Sequence, residues 1–172
     1  MINDLLNVSL ITTGKLDLEL TETNITALVR DITAEFSESL AGDGNSLTLT
    51  ADQDVVSVVD KLRLEQVMSN LISNSIKYGN HKPIEVVVKK EKSLIKIAVI
   101  DQGNGIPESE QERIFALFER IGEGNGTRGF GVGLYISDQI VRAHNGRIKV
   151  KSQLNSGSTF TVELPIEKTL SA

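Results

Sequence analysis

At 172 residues, 40% apolar and 24% charged, the chain has the proportions of one globular domain with room for a short appendage. A net charge of −5 and an aromatic content of 4% argue against a broad nucleic-acid-binding surface or a platform for stacking bases. The absence of cysteine, with only His81 and His144 present, excludes disulfides, thiolate zinc sites and histidine-rich metal centres; no apolar run is long enough to span a membrane.

In chain order, "MINDLLNVSLITTG" sets Ile2, Leu5, Leu6 and Ile11 at helical spacing before Gly14, the end of a helix too short to stand alone. "NITALVRDITAEFSESLAG" carries Ile25, Leu28, Val29, Ile32 and Phe36 on one stripe and predicts a helix closed by glycine. "SLTLT" and "VVSVV" read as short strands, after which Asp60 N-caps a helix through "KLRLEQVMSNLISNSIKYG". "IEVVVKK" and "LIKIAVID", parted by a polar turn, predict a hairpin. "DQGNGIPESEQERIFALFER" is a turn-rich loop entering a short helix, and "VGLYISDQIVRAHNG" is a helix stopped at Gly146. "RIKVKS" and "STFTVELP" alternate around an "NSGS" turn, and Pro165 ends the last strand. Helices followed by hairpins predict an α+β two-layer sandwich, a mixed, mostly antiparallel sheet on about three helices.

Four segments carry chemistry. "GTRGFGVGLYIS" packs glycines ahead of a helix, where unpaired N–H groups suit an anion. It is not a Walker loop, since no Gly-Lys pair precedes Ser or Thr, nor a Rossmann turn, since it follows a loop deep in the chain. In "LEQVMSNLISNSIKYG", helical spacing turns Leu64, Met68, Leu71 and Ser75 one way and Asn70, Asn74 and Lys77 the other. That polar face is either a solvated surface or a magnesium and phosphate site: an amide oxygen is a hard, neutral ligand and a lysine a point charge. Asp101, at the end of an apolar strand before Gly103 and Gly105, is either a turn former or an acceptor for an exocyclic amine, with the glycines admitting a flat ring. Phe115 and Phe118 read as core, and the polar stretch from Arg120 to Arg128 as a mobile lid.

The ordered set "NLISNSIKY", "DQGNGIP", "IFALFER", "GFGVGL" and "GSTFTVELP" resembles the catalytic ATP-binding domain of sensor histidine kinases, within the Bergerat-fold ATPases, over about residues 24–166. The resemblance implies that Asn74 coordinates Mg²⁺ with Asn70 beside it, that Lys77 reaches the phosphates and that Tyr78 borders the sugar or base. Asp101 would accept the adenine amine, Gly103, Gly105 and Ile106 would line the base pocket, and Thr159 would sit near the base behind Asp101. Phe115 and Phe118 would anchor the lid and Arg120 would approach the terminal phosphate. Gly129, Gly131 and Gly133 would bend the lid into the helix, with Leu134 completing the nucleotide-binding positions.

By the same resemblance, residues 1–20 are the tail of a dimerisation hairpin and linker, and 21–172 are the ATP-binding domain. ATP and Mg²⁺ are the implied ligands. The implied partners are the histidine-bearing dimerisation helices of a parent kinase and, through that kinase, a response-regulator receiver domain. Nucleic acid and membrane contact are not implied, and the domain would be cytoplasmic whether or not its parent is membrane-anchored. Two departures stand out: Phe130 replaces a small hydroxyl residue, and neither histidine lies in an acceptor motif, His144 suiting packing or capping instead. The expected activity is therefore that of a histidine protein kinase lacking its own phosphoacceptor. The alternatives are a Bergerat ATPase driving conformational change, for which Glu65 is the available acid, and a nucleotide-binding pseudo-kinase module.

Overall fold

The computed structural model describes residues 16–40, 46–117 and 131–167. Within them the chain runs β1 (Leu20–Asn24), α1 (Ile25–Ser39), β2 (Leu47–Ala51), β3 (Val56–Asp60), α2 (Lys61–Tyr78), β4 (Ile84–Glu91), β5 (Leu94–Asp101), α3 (Gly133–Ala143), β6 (Arg147–Gln153) and β7 (Gly157–Pro165). Five strands form a sheet in the order β2-β4-β5-β7-β6, antiparallel except for the parallel β2–β4 pair. β1 pairs antiparallel with β3 in a separate ribbon.

Strand alternation sorts the five-stranded sheet into two faces. Ile84, Val86 and Val88 of β4, Ile95, Ile97 and Val99 of β5, and Phe160, Val162 and Leu164 of β7 are buried in one cluster with Leu64, Met68 and Leu71 of α2 and Ile136 and Ile140 of α3. Each such side chain contributes on the order of 1.5–3 kcal/mol of burial free energy. On the other face Arg147, Lys149 and Lys96 converge on Glu163, which is only 4% exposed. Burial alone would raise the Glu163 carboxyl, but hydrogen bonds from Arg147 and Lys149 outweigh it and hold the group below its usual range.

The caps follow the sequence. Asn24 Oδ1 accepts from the Ala27 N–H at 2.9 Å to start α1, and Asp60 Oδ1 accepts from the Arg63 N–H at 3.0 Å to start α2. Asp60 Oδ2 also accepts the Glu19 N–H at 2.9 Å. The Asp60 N–H in turn donates to Nε2 of buried His144 at 2.9 Å, while His144 Nδ1 lies 2.8 Å from the Ile140 carbonyl, so the ring carries its proton on Nδ1. At the end of α3 the left-handed residue is Asn145 (φ +56°), and Gly146, expected as the stop, closes the turn by donating to the Val141 carbonyl at 2.9 Å.

Two elements differ from expectation. β1 carries no apolar alternation, because only Thr23 of its five residues is buried and pairing with β3 makes the strand. In place of a short helix, residues 108–115 form two single 3-10 turns, Glu108–Glu110 and Arg113–Phe115, the second ended by extended backbone at Ala116 (ψ 150°). Of the expected hairpin tail and linker over 1–20, residues 1–15 lie outside the described residues.

Candidate nucleotide site

α2 meets two different neighbours at two points along its length. Near its C-terminus, Ser75, Tyr78 and Gly79 face the end of β5. Asp101, the last residue of β5, is 6% exposed and lies on the core face of the strand. Its Oδ1 accepts the backbone N–H of Gly103 at 2.9 Å and of Ser158 at 3.3 Å, both on the same carboxylate oxygen. Burial raises the Asp101 carboxyl above its usual range; the two N–H donors and the nearby Ser75 hydroxyl pull it back without cancelling that rise.

The loop after Asp101 is locked by backbone contacts. A Cβ on Gly103 would lie 2.0 Å from the Tyr78 carbonyl oxygen, and one on Gly105 (φ +68°) would lie 1.9 Å from that of Gln153. These glycines are thus required by the close approach of the loop to α2 and to the β6–β7 turn, whatever ring lies alongside. Ile106 is half-buried, its N–H donating to Ser152 Oγ at 2.7 Å and its carbonyl accepting from Gln111 at 3.1 Å. Tyr78 is 46% exposed, and the Lys77 ammonium sits 4.9 Å from its ring centroid.

Two turns toward the N-terminus, α2 meets the start of α3. Asn70 Nδ2 donates to Ser137 Oγ at 3.0 Å, and a Cβ on Gly133 would lie 2.3 Å from Asn70 Oδ1, so glycine there lets the first turn of α3 sit against the amide. Among the described residues no side chain caps the start of α3, whose cap position is Val132. Gln66, Ser69, Asn70 and Ser73 of α2, with Gly133 and Ser137 of α3, line a cleft of about 320 Å³ whose apolar wall is Phe36 and Ile136. Asn74, half-buried, lies one turn beyond Asn70 on α2, and Leu134 is half-buried against the core.

The structure thus brings Asn70 and Gly133 together at one place and Asp101, Gly103 and Tyr78 at another, with α2 joining them over about 12 Å of helix. Gly131 (φ +69°) precedes α3. Phe118, Arg120, Gly129 and Phe130 lie outside the described residues. Thr159 does not stand behind Asp101. It pairs with Ile100, while Ser158 pairs with Asp101, so alternation sends Thr159 to the opposite face of the sheet. The signal was available in the sequence: Phe160 in the core puts 158, not 159, on the same side. Ser75, Ser137 and Gln66 also escaped attention, Ser75 because it shares the apolar face of α2. Glu65, the acid of the ATPase alternative, pairs with Lys61 at 3.8 Å and does not line the cleft.

Residues 59–168 match the family model described as histidine kinase-, DNA gyrase B-, and HSP90-like ATPase. The alginate biosynthesis sensor protein KinB of Pseudomonas aeruginosa is 34% identical over 168 residues, covering 96% of this chain and 28% of its own length. The signal transduction histidine-protein kinase BarA of Escherichia coli K12 is 34% identical over 176 residues, covering 97% and 19%. The chain spans less than a third of either relative. Among solved structures, the catalytic domain of histidine kinase ThkA superposes with a TM-score of 0.78 at 28% identity, covering 87% of this chain and 97% of that one. Full-length ShkA in complex with AMPPNP superposes at 0.87 over 99% of this chain and 36% of its own, but at 23% identity that likeness is one of fold alone. By its matched residues, its sheet order and its helices, the chain belongs to the histidine kinase-, DNA gyrase B- and HSP90-like ATPase family, with the fold of a histidine kinase catalytic domain.

Proposed function

We propose that this domain binds Mg-ATP along α2, base at Asp101 and phosphates at the junction of α2 with α3, and presents the γ-phosphate to a histidine on a separate helical hairpin. One observation carries the reading: a buried carboxylate at the end of β5, fixed through Oδ1 by two backbone N–H groups so that its other oxygen can face a ligand amine. Asn70 and Asn74 supply neutral amides, Lys77 a charge, and the start of α3 its N–H groups. Ser158, not Thr159, backs Asp101.

The donor set suits magnesium held jointly with a ligand. Among the described residues no group of three or more acidic, histidine or cysteine side chains could cage a metal. A hard cation at Asn74 would then draw its remaining oxygens from phosphates and water, and would offset phosphate charge when bound. The chain's own residues position the nucleotide, keep the base edge dry and place positive charge at the phosphates, which is most of what phosphoryl transfer asks of a protein. The accepting helices and a receiver domain would belong to the parent protein. Among the described residues no helix is long and apolar enough to cross a membrane.

Calorimetric titration with Mg-ATP and Mg-GTP, followed by addition of a separately made acceptor hairpin, tests the reading. ATP should bind more tightly than GTP, and phosphohistidine should appear on the added hairpin alone. Equal affinity for the two nucleotides would remove Asp101 from base recognition, and steady hydrolysis without any acceptor would favour the ATPase alternative.

A further inference from the structure

The loop from Asp101 to Ile106 is fastened in two different ways. Its middle is held by backbone: the Asn104 N–H donates to the Tyr78 carbonyl at 3.3 Å, and the Asn104 carbonyl accepts from the Asn155 N–H at 2.7 Å. Its last residue is held by side chains. Ile106 donates its N–H to Ser152 Oγ at 2.7 Å, and its carbonyl accepts from Gln111 Nε2 at 3.1 Å. The same Nε2 donates to the Ser152 carbonyl at 2.8 Å, so the two protons of one amide tie Ile106 to β6.

The Ser152 hydroxyl is saturated. It has one proton and two lone pairs to offer. The proton goes to the Gly157 carbonyl at 2.8 Å, one lone pair takes the Ile106 N–H, and the Ser158 hydroxyl, 2.9 Å away, donates to the other. The Ser158 N–H meanwhile donates to Asp101 Oδ1 at 3.3 Å. A continuous run of contacts thus leads from Gln111 through Ile106, Ser152 and Ser158 to Asp101, and fixes one end of the loop against the other. Strand propensity does not ask for serine at 152, where a β-branched residue would suit the pleat better.

We propose that Ser152 and Gln111 are positioning residues for adenine recognition: they hold Ile106 at a set distance from Asp101, so that a flat purine lying against the isoleucine brings its amine to the carboxylate. The inference rests on reading Asp101 as the base site. Neither side chain needs to touch the base; both act through Ile106. Gly105, one residue earlier at φ +68°, gives the loop little stiffness of its own at that end. A supporting shell loosened by about 1 Å is enough to spoil a binding geometry.

The test is calorimetry with Mg-ATP and with Mg-GTP, well below the melting temperature, on the wild type, Ser152→Ala and Gln111→Met. Ser152→Ala strips three groups of a partner, whereas Gln111→Met keeps the length of the side chain and removes only its donors. Each variant should weaken ATP by about three- to tenfold and GTP by less than about twofold, so the preference for ATP narrows. A merely structural role predicts lower melting temperatures with ATP affinity and the ATP preference unchanged in the folded protein. That result would overturn the proposal, as would equal losses for the two nucleotides. A wild type that binds ATP no better than GTP, or not at all, would instead refute the base-site reading itself, and the proposal with it.

Discussion

Asp101→Asn separates what the carboxylate does for the fold from what it does for a ligand. The substitution is isosteric. The amide oxygen goes on accepting from Gly103 and Ser158, while Nδ2 replaces the other carboxylate oxygen. For stability the sign follows from linkage. The folded-state carboxyl is raised above its ordinary value of 3.8, so the folded protein holds a proton more tightly than the unfolded chain. The wild-type fold is then most favoured by this group below that value. It loses the advantage as pH rises from that value through the raised range. A neutral side chain removes the penalty, so at pH 7 the nucleotide-free variant should melt at or above wild type, and the acid segment of the stability profile that belongs to Asp101 should vanish. For binding the sign reverses. A hydrogen bond to a charged acceptor is worth about 1.5–3 kcal/mol, or roughly 10- to 150-fold in affinity, and the amide turns a donor toward the adenine amine besides. Paired thermal melts and Mg-ATP calorimetry read both effects on one sample. An Asp101→Asn protein that keeps wild-type ATP affinity, or that melts well below wild type, would show the carboxylate to be structural and sink the reasoning.

Gly133→Ala should leave stability within about 1 kcal/mol, since alanine favours helix and the atom it meets is the end of the Asn70 side chain. It should still weaken Mg-ATP about tenfold by displacing that amide; unchanged affinity would remove Asn70 from the site. Glu163→Gln should cost about 1–2 kcal/mol at pH 7, discounted because Arg147 and Lys149 are largely exposed. Because the Glu163 carboxyl is lowered from its ordinary 4.5, that difference should be full above 4.5 and fade as pH falls through the lowered value in acid-unfolding curves; a difference that persists at lower pH would rule out the ionised cluster as its source. Thr159→Ala should leave ATP affinity within about twofold, its side chain being on the far face of the sheet; a loss of several-fold in calorimetry would return it to the site.

Much of the fold could be read from local chemistry, because caps and alternation are local signals. Asn24 and Asp60 begin their helices by side-chain bonds to N–H groups three residues on, and the alternation of "LIKIAVID" places Asp101 on the buried face. What escaped was set by partners distant in sequence. β1 exists because β3 pairs with it, not because of its own residues. Gly103 and Gly105 looked like room for a ring, yet the atoms that forbid a side chain there are carbonyls of Tyr78 and Gln153. Ser75 looked like one more small residue on an apolar stripe, yet its hydroxyl lies beside the Asp101 carboxyl and lowers it.

One helix ties these points together. The buried face of α2, from Leu64 to Ile72, anchors it in the core, so the polar groups at its two neighbours are held apart by a rigid rod. Its start is tied just as firmly. Asp60 caps α2, accepts the N–H of Glu19 from the segment leading into β1, and donates its own N–H to His144 at the end of α3. A ligand that bridges Asp101 and the start of α3 therefore spans elements already braced at their other ends. For the described elements, bracing of this kind lowers the ordering cost of binding. The same bracing means that a core change under α2, such as Leu71→Ala, would be felt at both ends of the cleft at once, and not at one polar group alone.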